Sequence, residues 1–323
     1  MALLIPFAAP LQALARVRSD QVRGGGVDDV LPPLPPLPNL AALIAQSTPV
    51  ERDDGDEWSL TPPHERALAR ALGWSGSDGQ LPFAARAARA DGLDSGDVAV
   101  GLVTPSHWHL GTDQVSLVDP AALVLAEDES HALFDAVLPT FTSEGFGFAY
   151  GAADRWYLLH ESLAELATAS LDRVIGRNVD RWLGSQPAAR RLRRLQSEVQ
   201  MLLYEHPVNA AREARGLLPV NSFWLSGCGV AQPERRAGPD VDLRLRAAAL
   251  AGDAAGWVRA WETLDAGPLA VLLAAAQRGE PVELVLCGER SSVVLASRPR
   301  RWWQRIAARW AAPPSPLPLL EAL

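Results

Sequence analysis

The chain has 323 residues, of which 48% are hydrophobic and 21% charged, a composition typical of a globular protein with one large domain or two smaller ones. Its formal net charge of -8 excludes a general electrostatic attraction to nucleic acid or to an anionic membrane. All 30 cationic side chains are Arg, which excludes lysine chemistry such as a Schiff base or a Walker-type phosphate loop.

The cysteines and the apolar runs restrict the class of protein further. Cys228 and Cys287 stand in no metal-ligand spacing, so neither zinc nor a disulfide scaffold is expected. The apolar start of the chain lacks a basic segment and is interrupted by Pro6 and Pro10, so it predicts a buried first strand and not a signal peptide. No apolar run reaches membrane-spanning length, and we expect a cytoplasmic protein without a membrane span.

The first third of the chain alternates between loops and helices. Residues 21–38 are Gly-rich and then Pro-rich, which predicts a stiff loop in polyproline II conformation ahead of a helix in "NLAALIAQ". The acidic residues 51–57 predict a surface loop. "PPHERALARALGW" predicts a helix that begins with Pro and ends near Gly73.

The middle of the chain is rich in strands. Residues 97–118 alternate between apolar and polar side chains, as do "GFGFAYG" and "RWYLLH". Helices are predicted in "AEDESHALFDAVLPTF" and in "RRLRRLQSEVQMLLYEH", where Leu192, Leu195 and Val199 share one face.

The last third alternates helices and strands again. A helix broken at Gly267–Pro268 precedes the strands "PVELVLCG" and "SSVVLAS", and "RWWQRIAARW" is predicted to be a helix that packs Trp302, Ile306 and Trp310 on the core. Together with the Pro-rich end, that tail could instead dock on a protein partner or a membrane surface. The alternation at both ends of the chain predicts an α/β fold, with the middle as a possible inserted subdomain.

Three candidate metal ligands stand in the sequence. His107 and His109 would share one face of a strand, but no third ligand accompanies them. Glu289 follows a predicted buried strand, at the kind of strand end where α/β proteins place their chemistry.

The segment "HPVNAAREARGLLPVNSFWLSGCG", residues 206–229, concentrates His, Asn, Arg, Trp and Gly around a short apolar run. It is either an ordinary strand and turn or the floor of a ligand site. The segment resembles one in archaeal-type cofactor-independent phosphoglycerate mutases. The positions that carry the resemblance are His206, Pro207, Asn209, Arg212, Gly216, Asn221, Trp224, Gly227 and Gly229.

Three further stretches are similar to that family in the same order. They are "LPNLAALIA", "SGDVAVGLVT" and the helix-then-strand element that ends in "DRWYLL", which places Arg155 at a family Arg. The resemblance implies an alkaline-phosphatase-like α/β sandwich as the core, in residues 1–80 and 172–323, with an inserted α+β subdomain in residues 81–171. It also implies a pair of divalent metals and a nucleophilic Ser that together move a phosphoryl group.

The chain departs from the family at the metal ligands. "IPFAAP" replaces an Asp-Gly after the first strand, and "CGER" replaces an Asp-His with Gly288 and Glu289. The nucleophile region is echoed only by Ser59, Thr61 and His64 in "SLTPPHERALARALGW".

A second resemblance, in "PPHERALARALG", "TASLDRVIGRNVDRWL" and "LRRLQSEVQMLLYEHPVN", is to the RpfE-type regulatory proteins of proteobacteria. Together the two imply a regulatory protein that has lost the metal site, needs no cofactor and binds a small phosphorylated anion. The ligand-binding residues would be Arg155, His206, Asn209, Arg212, Asn221, Trp224, Gly227 and Gly229.

The alternative is an active phosphotransferase that uses Mn or Mg on rearranged ligands. These ligands would be drawn from His64, Asp97, His107, His109 and Glu289. The resemblances leave a protein partner, if there is one, unidentified.

Overall fold

The computed structural model describes residues 1–9, 34–112, 114–184, 186–297 and 314–323. These residues form two compact units. The first contains residues 1–58, 62–73 and 235–323, and the second contains residues 59–61 and 74–234. The sequence predicted an insert at 81–171, and the second unit extends further, because the helices and the strand between residues 187 and 229 pack with its own sheet.

The first unit is built on a mixed five-stranded sheet. Its strands are β1 (Ala2–Ile5), β2 (Ser47–Asp54), β9 (Asp240–Val241), β10 (Glu283–Cys287) and β11 (Ser291–Ser297). Their order in the sheet is β2-β11-β10-β1-β9. β1 runs parallel to β9 and β10, while β11 runs antiparallel to β10 and β2. The α/β class predicted from the sequence is therefore confirmed.

Six helices of the first unit lie within the residues that the structure describes. They are α1 (Pro38–Gln46), α2 (Pro63–Leu72), α8 (Arg244–Ala251), α9 (Ala254–Leu264), α10 (Ala270–Arg278) and α11 (Leu317–Glu321). α2 ends at Gly73, whose left-handed φ of 79° closes the helix as the sequence predicted. Its buried Ala67 packs with Leu4 and Val285 of the sheet.

The second unit has a four-stranded antiparallel sheet in the order β6-β7-β3-β8 and a separate β4-β5 hairpin. The strands are β3 (Val100–Ser106), β4 (Trp108–Leu110), β5 (Val115–Leu117), β6 (Gly147–Ala152), β7 (Arg155–Leu159) and β8 (Ser222–Gly229). The helices are α3 (Phe83–Ala90), α4 (Glu127–Thr142), α5 (Leu171–Val174), α6 (Pro187–Tyr204) and α7 (Pro207–Ala214). The larger of its cores joins α4 and α6 to the sheet through Val137, Leu195 and Phe223.

Two sequence predictions were wrong in part. Residues 51–54 of the predicted acidic loop form the end of β2, because this edge strand pairs with β11 and its acidic side chains are neutralised by Arg66 and Arg70. The predicted break at Gly267–Pro268 is a π-helical turn, Asp265–Leu269, that joins α9 to α10. Most of the stretch 21–38 and the tail helix in "RWWQRIAARW" lie outside the described residues. Within the described residues, no helix is long and apolar enough to cross a membrane.

The π-helical turn supplies the cap of a distant helix. The N-terminal residue before α1, Leu37, has no side chain that can accept a hydrogen bond. Instead, the buried carboxylate of Asp265 accepts hydrogen bonds from the backbone N–H of Leu40 at 2.8 Å and of Asn39 at 3.2 Å. The Asn39 amide also donates to this carboxylate at 3.1 Å. A helix terminus that would otherwise be buried with unsatisfied N–H groups is thereby satisfied.

We predict that Asp265→Ala lowers the free energy of unfolding by about 1–3 kcal/mol, because several buried donors lose one charged acceptor. Urea unfolding measures the change. Asp253→Ala is the matched control, since Asp253 caps α9 through Gly256 N–H at 2.8 Å from an exposed position. We expect the control to cost about 0.5–1 kcal/mol, and an equal cost at both sites would contradict this assignment.

Candidate functional site

The carboxyl ends of the parallel strands β1 and β10 lie side by side, with Ile5 opposite Leu286. In open α/β sheets this is the edge where ligands bind. β1 continues into Phe7, which has a left-handed φ of 59°, and the Ala8 N–H donates to the Cys287 carbonyl at 2.8 Å. Gly288 and Glu289 follow β10 directly. The two positions where the sequence departs from the phosphoglycerate mutase pattern therefore meet at this edge.

Two aromatic side chains, His64 and Trp257, contact Phe7 at the first of these positions. The Phe7 ring contacts the His64 ring at a centroid distance of 5.4 Å, and the indole N–H of Trp257 donates to the Phe7 carbonyl at 3.1 Å. Burial also raises the pKa of the Cys287 thiol, which keeps it neutral. The charged groups that act on Cys287 are Arg66, Arg70 and Asp53, and two of these three are cations. These surroundings do not supply the several anionic oxygen ligands that a pair of divalent cations requires.

The carboxylates of β2 are already neutralised. Asp53 contacts Arg66 at 2.7 Å and Arg70 at 3.1 Å, and Arg70 also contacts Glu51 at 2.7 Å. Burial opposes ionisation of Asp53, but the hydrogen bonds and charges of the two guanidinium groups outweigh it and lower the pKa of this carboxyl. The network ties α2 to β2.

Two of the predicted nucleophile remnants, Ser59 and Thr61, lie in a hydrogen-bonded loop, and His64 lies in α2. The Thr61 hydroxyl is buried and accepts the Gly79 N–H at 2.8 Å, while the Asp78 carboxylate accepts the Thr61 N–H at 2.9 Å. The Ser59 carbonyl accepts from Arg173 Nε at 2.7 Å. Ser59 and Thr61 belong to the second unit and His64 to the first.

No metal cluster forms around the predicted metal ligands. Within the described part of the chain, no three His, Cys, Asp or Glu side chains come together as a metal-binding group. His107 Nδ1 forms a hydrogen bond with the Pro219 carbonyl at 2.8 Å, and His109 is exposed on β4. Glu289 lies in the β10–β11 turn of the other unit.

Asn209 and Asn221 bind the protein backbone. Asn209 is buried, and its amide donates to the carbonyls of Leu203 and Val220 at 2.8 and 2.7 Å, while its oxygen accepts the Val220 N–H at 2.8 Å. Asn221 exchanges two hydrogen bonds with the backbone of Trp108, at 2.7 and 2.9 Å. Both side chains hold the loop that leads into β8, and any ligand would compete with these bonds.

The Arg212 side chain is fully buried and has three partners. It forms an ion pair with Glu129, and it donates to the carbonyls of Leu218 and Leu123. Arg215, which is 56% exposed, contacts the other oxygen of the same carboxylate. Burial favours the neutral acid, but hydrogen bonds from Arg215 and the Ala126 N–H, with the Arg212 charge, lower the pKa of Glu129. This pair joins α7 to α4.

The remaining predicted residues of the segment also pack internally. The Trp224 indole donates to the Ala169 carbonyl at 2.9 Å, and His206 Nδ1 accepts the Val208 N–H at 3.3 Å at the start of α7. Burial lowers the pKa of His206. Gly227 has a left-handed φ of 64°, and a Cβ there would lie 2.8 Å from the Ala84 nitrogen; Gly229 lies against Pro82. The glycines let α3 approach β8.

Arg155 lies in a separate polar cluster. It binds Asp91 through two hydrogen bonds of 2.9 Å, and the Tyr157 hydroxyl donates to the same carboxylate at 2.6 Å. Hydrogen bonds from Arg155 and Tyr157 lower the pKa of Asp91 against the effect of burial. The Arg155 side chain remains 39% exposed, so it still faces solvent.

A small, mostly apolar cleft beside β8 was not predicted from the sequence. It has a cavity volume of about 50 Å³, and its lining includes Trp182, Gln196, Phe223 and Trp224. Most of the lining is apolar, with leucines and an aromatic wall, and Thr168, Arg193 and Gln196 are its polar members. A lining of this kind accommodates mainly apolar groups. These residues come from separate elements, so no local motif marks the cleft in the sequence.

Comparison with known proteins gives no family assignment. No protein-family model and no curated protein sequence matches the chain. Two solved structures align with most of it at 15% identity. The cofactor-independent phosphoglycerate mutase of Thermoplasma acidophilum aligns over 91% of this chain and 89% of its own, with a TM-score of 0.37. The PH0037 protein of Pyrococcus horikoshii aligns over 92% and 87%, with a TM-score of 0.42. Similarity of this degree carries no argument about activity.

We predict that Arg212→Met lowers the free energy of unfolding by about 3–5 kcal/mol, because it leaves Glu129 with only the exposed Arg215 and the Ala126 N–H as partners and removes the donor of two carbonyls. Arg215→Met is the matched control on the same carboxylate, and we expect a cost below about 1 kcal/mol. Urea unfolding of both variants measures the difference. A stable Arg212→Met protein would favour a ligand-binding role for this residue instead.

We predict a pH dependence at Asp91. Its pKa is lower in the folded protein, so its stabilising effect is complete above the unfolded value of about 3.9 and is lost as the pH falls through the folded pKa. Asp91→Asn should therefore be less stable than the wild type at pH 7, and the difference should shrink below about pH 4. Asp154→Asn, at the exposed contact of Arg155, is the control. A constant difference from pH 7 to pH 3 would contradict the assignment.

Proposed function

We propose that this chain is a phosphoglycerate-mutase-like protein of the RpfE type that has lost the catalytic metal site and acts as a regulatory protein that binds a small phosphorylated anion. One observation carries the proposal. At the carboxyl edge of the first unit's sheet, β1 and β10 are followed by Phe7 and by Gly288 with Glu289. The sequence resemblance expects Asp-Gly and Asp-His there.

The surroundings of that edge support the loss of metal chemistry. The groups in contact with Phe7 are aromatic, and the carboxylate of Asp53 on β2 is neutralised by Arg66 and Arg70. A divalent cation would have to displace a guanidinium group to bind this carboxylate. A metal-activated nucleophile therefore has little support among these residues.

Binding of an anion without turnover requires cationic or N–H donors that a ligand can reach. Among the predicted ligand residues, Arg155 reaches solvent, since its side chain is 39% exposed, and it is paired with Asp91 and Asp154. Asn209 and Arg212 are buried, and like Arg155 they are hydrogen-bonded to the protein itself. We therefore assign these two to the scaffold of the second unit and keep anion binding for more accessible donors.

We predict that the purified protein does not interconvert 3- and 2-phosphoglycerate, either with added manganese or with a chelator, and that it binds 3-phosphoglycerate in calorimetry. An active phosphoglycerate mutase assayed in parallel controls for the coupling enzymes. Turnover that the chelator abolishes would support the alternative, a metal-dependent phosphotransferase with rearranged ligands. If neither turnover nor binding is observed, the proposed binding of a phosphorylated anion is wrong.

A further inference from the structure

The β10–β11 turn holds another part of the same chain. The turn closes through a hydrogen bond from the Gly288 N–H to the Ser291 carbonyl at 2.9 Å. The N–H groups of Arg290 and Ser291 both donate to the carbonyl oxygen of Leu323, at 3.2 and 2.9 Å. One oxygen atom is therefore held by two converging backbone donors.

A cationic side chain completes this donor set. Arg52 on β2 donates through a terminal guanidinium nitrogen to the Ala322 carbonyl at 2.6 Å, while its Nε contacts Asp54 at 2.8 Å. Two adjacent carbonyl oxygens thus occupy a place defined by two amides and one guanidinium group. Converging backbone N–H groups and an Arg are the donors that proteins use for phosphate and carboxylate oxygens.

The donors are fixed in position by the first unit. The Arg290 carbonyl accepts the Gly55 N–H at 2.9 Å and a guanidinium N–H of Arg66 at 2.9 Å. Arg66 in turn is held by Asp53 at 2.7 Å. Because these bonds hold the turn, its amides do not depend on Leu323 for their orientation. A preorganised donor set of this kind loses little entropy when an anion binds.

The close packing of Leu323 against position 288 explains why this residue is a glycine. A Cβ at position 288 would lie 2.5 Å from the backbone carbonyl carbon of Leu323 and 2.7 Å from its oxygen, and the three nearest atoms all belong to that residue. The φ of Gly288 is outside the left-handed region that would itself require glycine. Apolar burial stabilises this contact between Gly288 and Leu323, since Leu320 of α11 is fully buried and Leu323 is 7% exposed.

We propose that the β10–β11 turn and Arg52 form a binding site for a small phosphate- or carboxylate-bearing molecule, and that residues 314–323 occupy it as an internal competitor. The carbonyl oxygens of Ala322 and Leu323 stand in for the ligand's oxygens. This site would bind the small anion of the proposed function, and the inference therefore rests on that function. It lies at the edge of the sheet where the carboxyl end of β10 is found, the position that open α/β sheets use for ligands.

The test uses Gly288→Ala in the full chain, with inorganic phosphate as the probe. The added methyl group displaces Leu323 without straining the turn, so hydrogen exchange at the Arg290 and Ser291 amides should accelerate. Phosphate, titrated by calorimetry, should bind at least about tenfold tighter than to the wild type, because a site filled by its own chain loses affinity in proportion to its free fraction. Adding Arg52→Met to this variant should reverse the gain.

Two further variants keep the result decisive. Gly267→Ala is the matched control, since a Cβ there meets only Arg244 at 3.8 Å, and it should leave phosphate affinity unchanged. If Gly288→Ala does not fold, Leu320→Ser withdraws the buried leucine of α11 and should release the same segment. Synthetic peptide of residues 314–323 should then compete with phosphate for either displaced variant.

The outcomes separate this site from the proposed function. Faster amide exchange in Gly288→Ala without a gain in phosphate affinity overturns the site. If the wild type binds 3-phosphoglycerate with an affinity that Gly288→Ala does not change, the proposed function stands and the ligand is bound elsewhere. If Gly288→Ala gains phosphate binding while neither protein binds 3-phosphoglycerate, the site stands and the proposed ligand fails.

Discussion

A buried guanidinium group must be fully paired, and this constraint organises the second unit. Arg212 is 0% exposed. The Glu129 carboxylate and two backbone carbonyls replace the water molecules that its guanidinium group loses on burial. Since Glu129 lies in the first turn of α4, Arg212 in the last turn of α7 and Leu218 before β8, one side chain fixes three elements against each other. In a chain without Lys, a planar donor with several N–H groups is the cation that can serve this purpose.

The same constraint explains why a segment rich in polar residues is not by itself a ligand site. Asn and Arg side chains that would bind a phosphoglycerate are also those that satisfy loop carbonyls in a buried corner. Asn209 uses both ends of its amide on Leu203 and Val220, which stabilises the passage from α7 to β8. Gly227 and Gly229 likewise allow the start of α3 to pack closely against β8, because they carry no Cβ.

In the first unit, by contrast, the carboxyl edge of the sheet combines an aromatic contact with backbone donors. Phe7 follows β1 and contacts His64 of α2, whereas the N–H groups of the turn after β10 donate to the carbonyl of Leu323. Metal chemistry needs anionic ligands and anion binding needs N–H donors. We therefore propose anion binding, and not metal chemistry, at this edge.

The sequence by itself determined the elements whose pattern is local. It predicted β1, α2 with its end at Gly73, α4 and the strands β10 and β11, because hydrophobic period and helix-end residues are properties of short stretches. It did not determine that Glu51–Asp54 would be a strand, since that depends on pairing with β11 and on two arginines of α2. Nor could it show that Asp265 caps a helix 226 residues away, or that Leu323 lies on the turn at Gly288. Hydrogen bonds between distant residues are chosen only when the chain has folded, so tertiary structure alone decided which polar groups are committed to the scaffold.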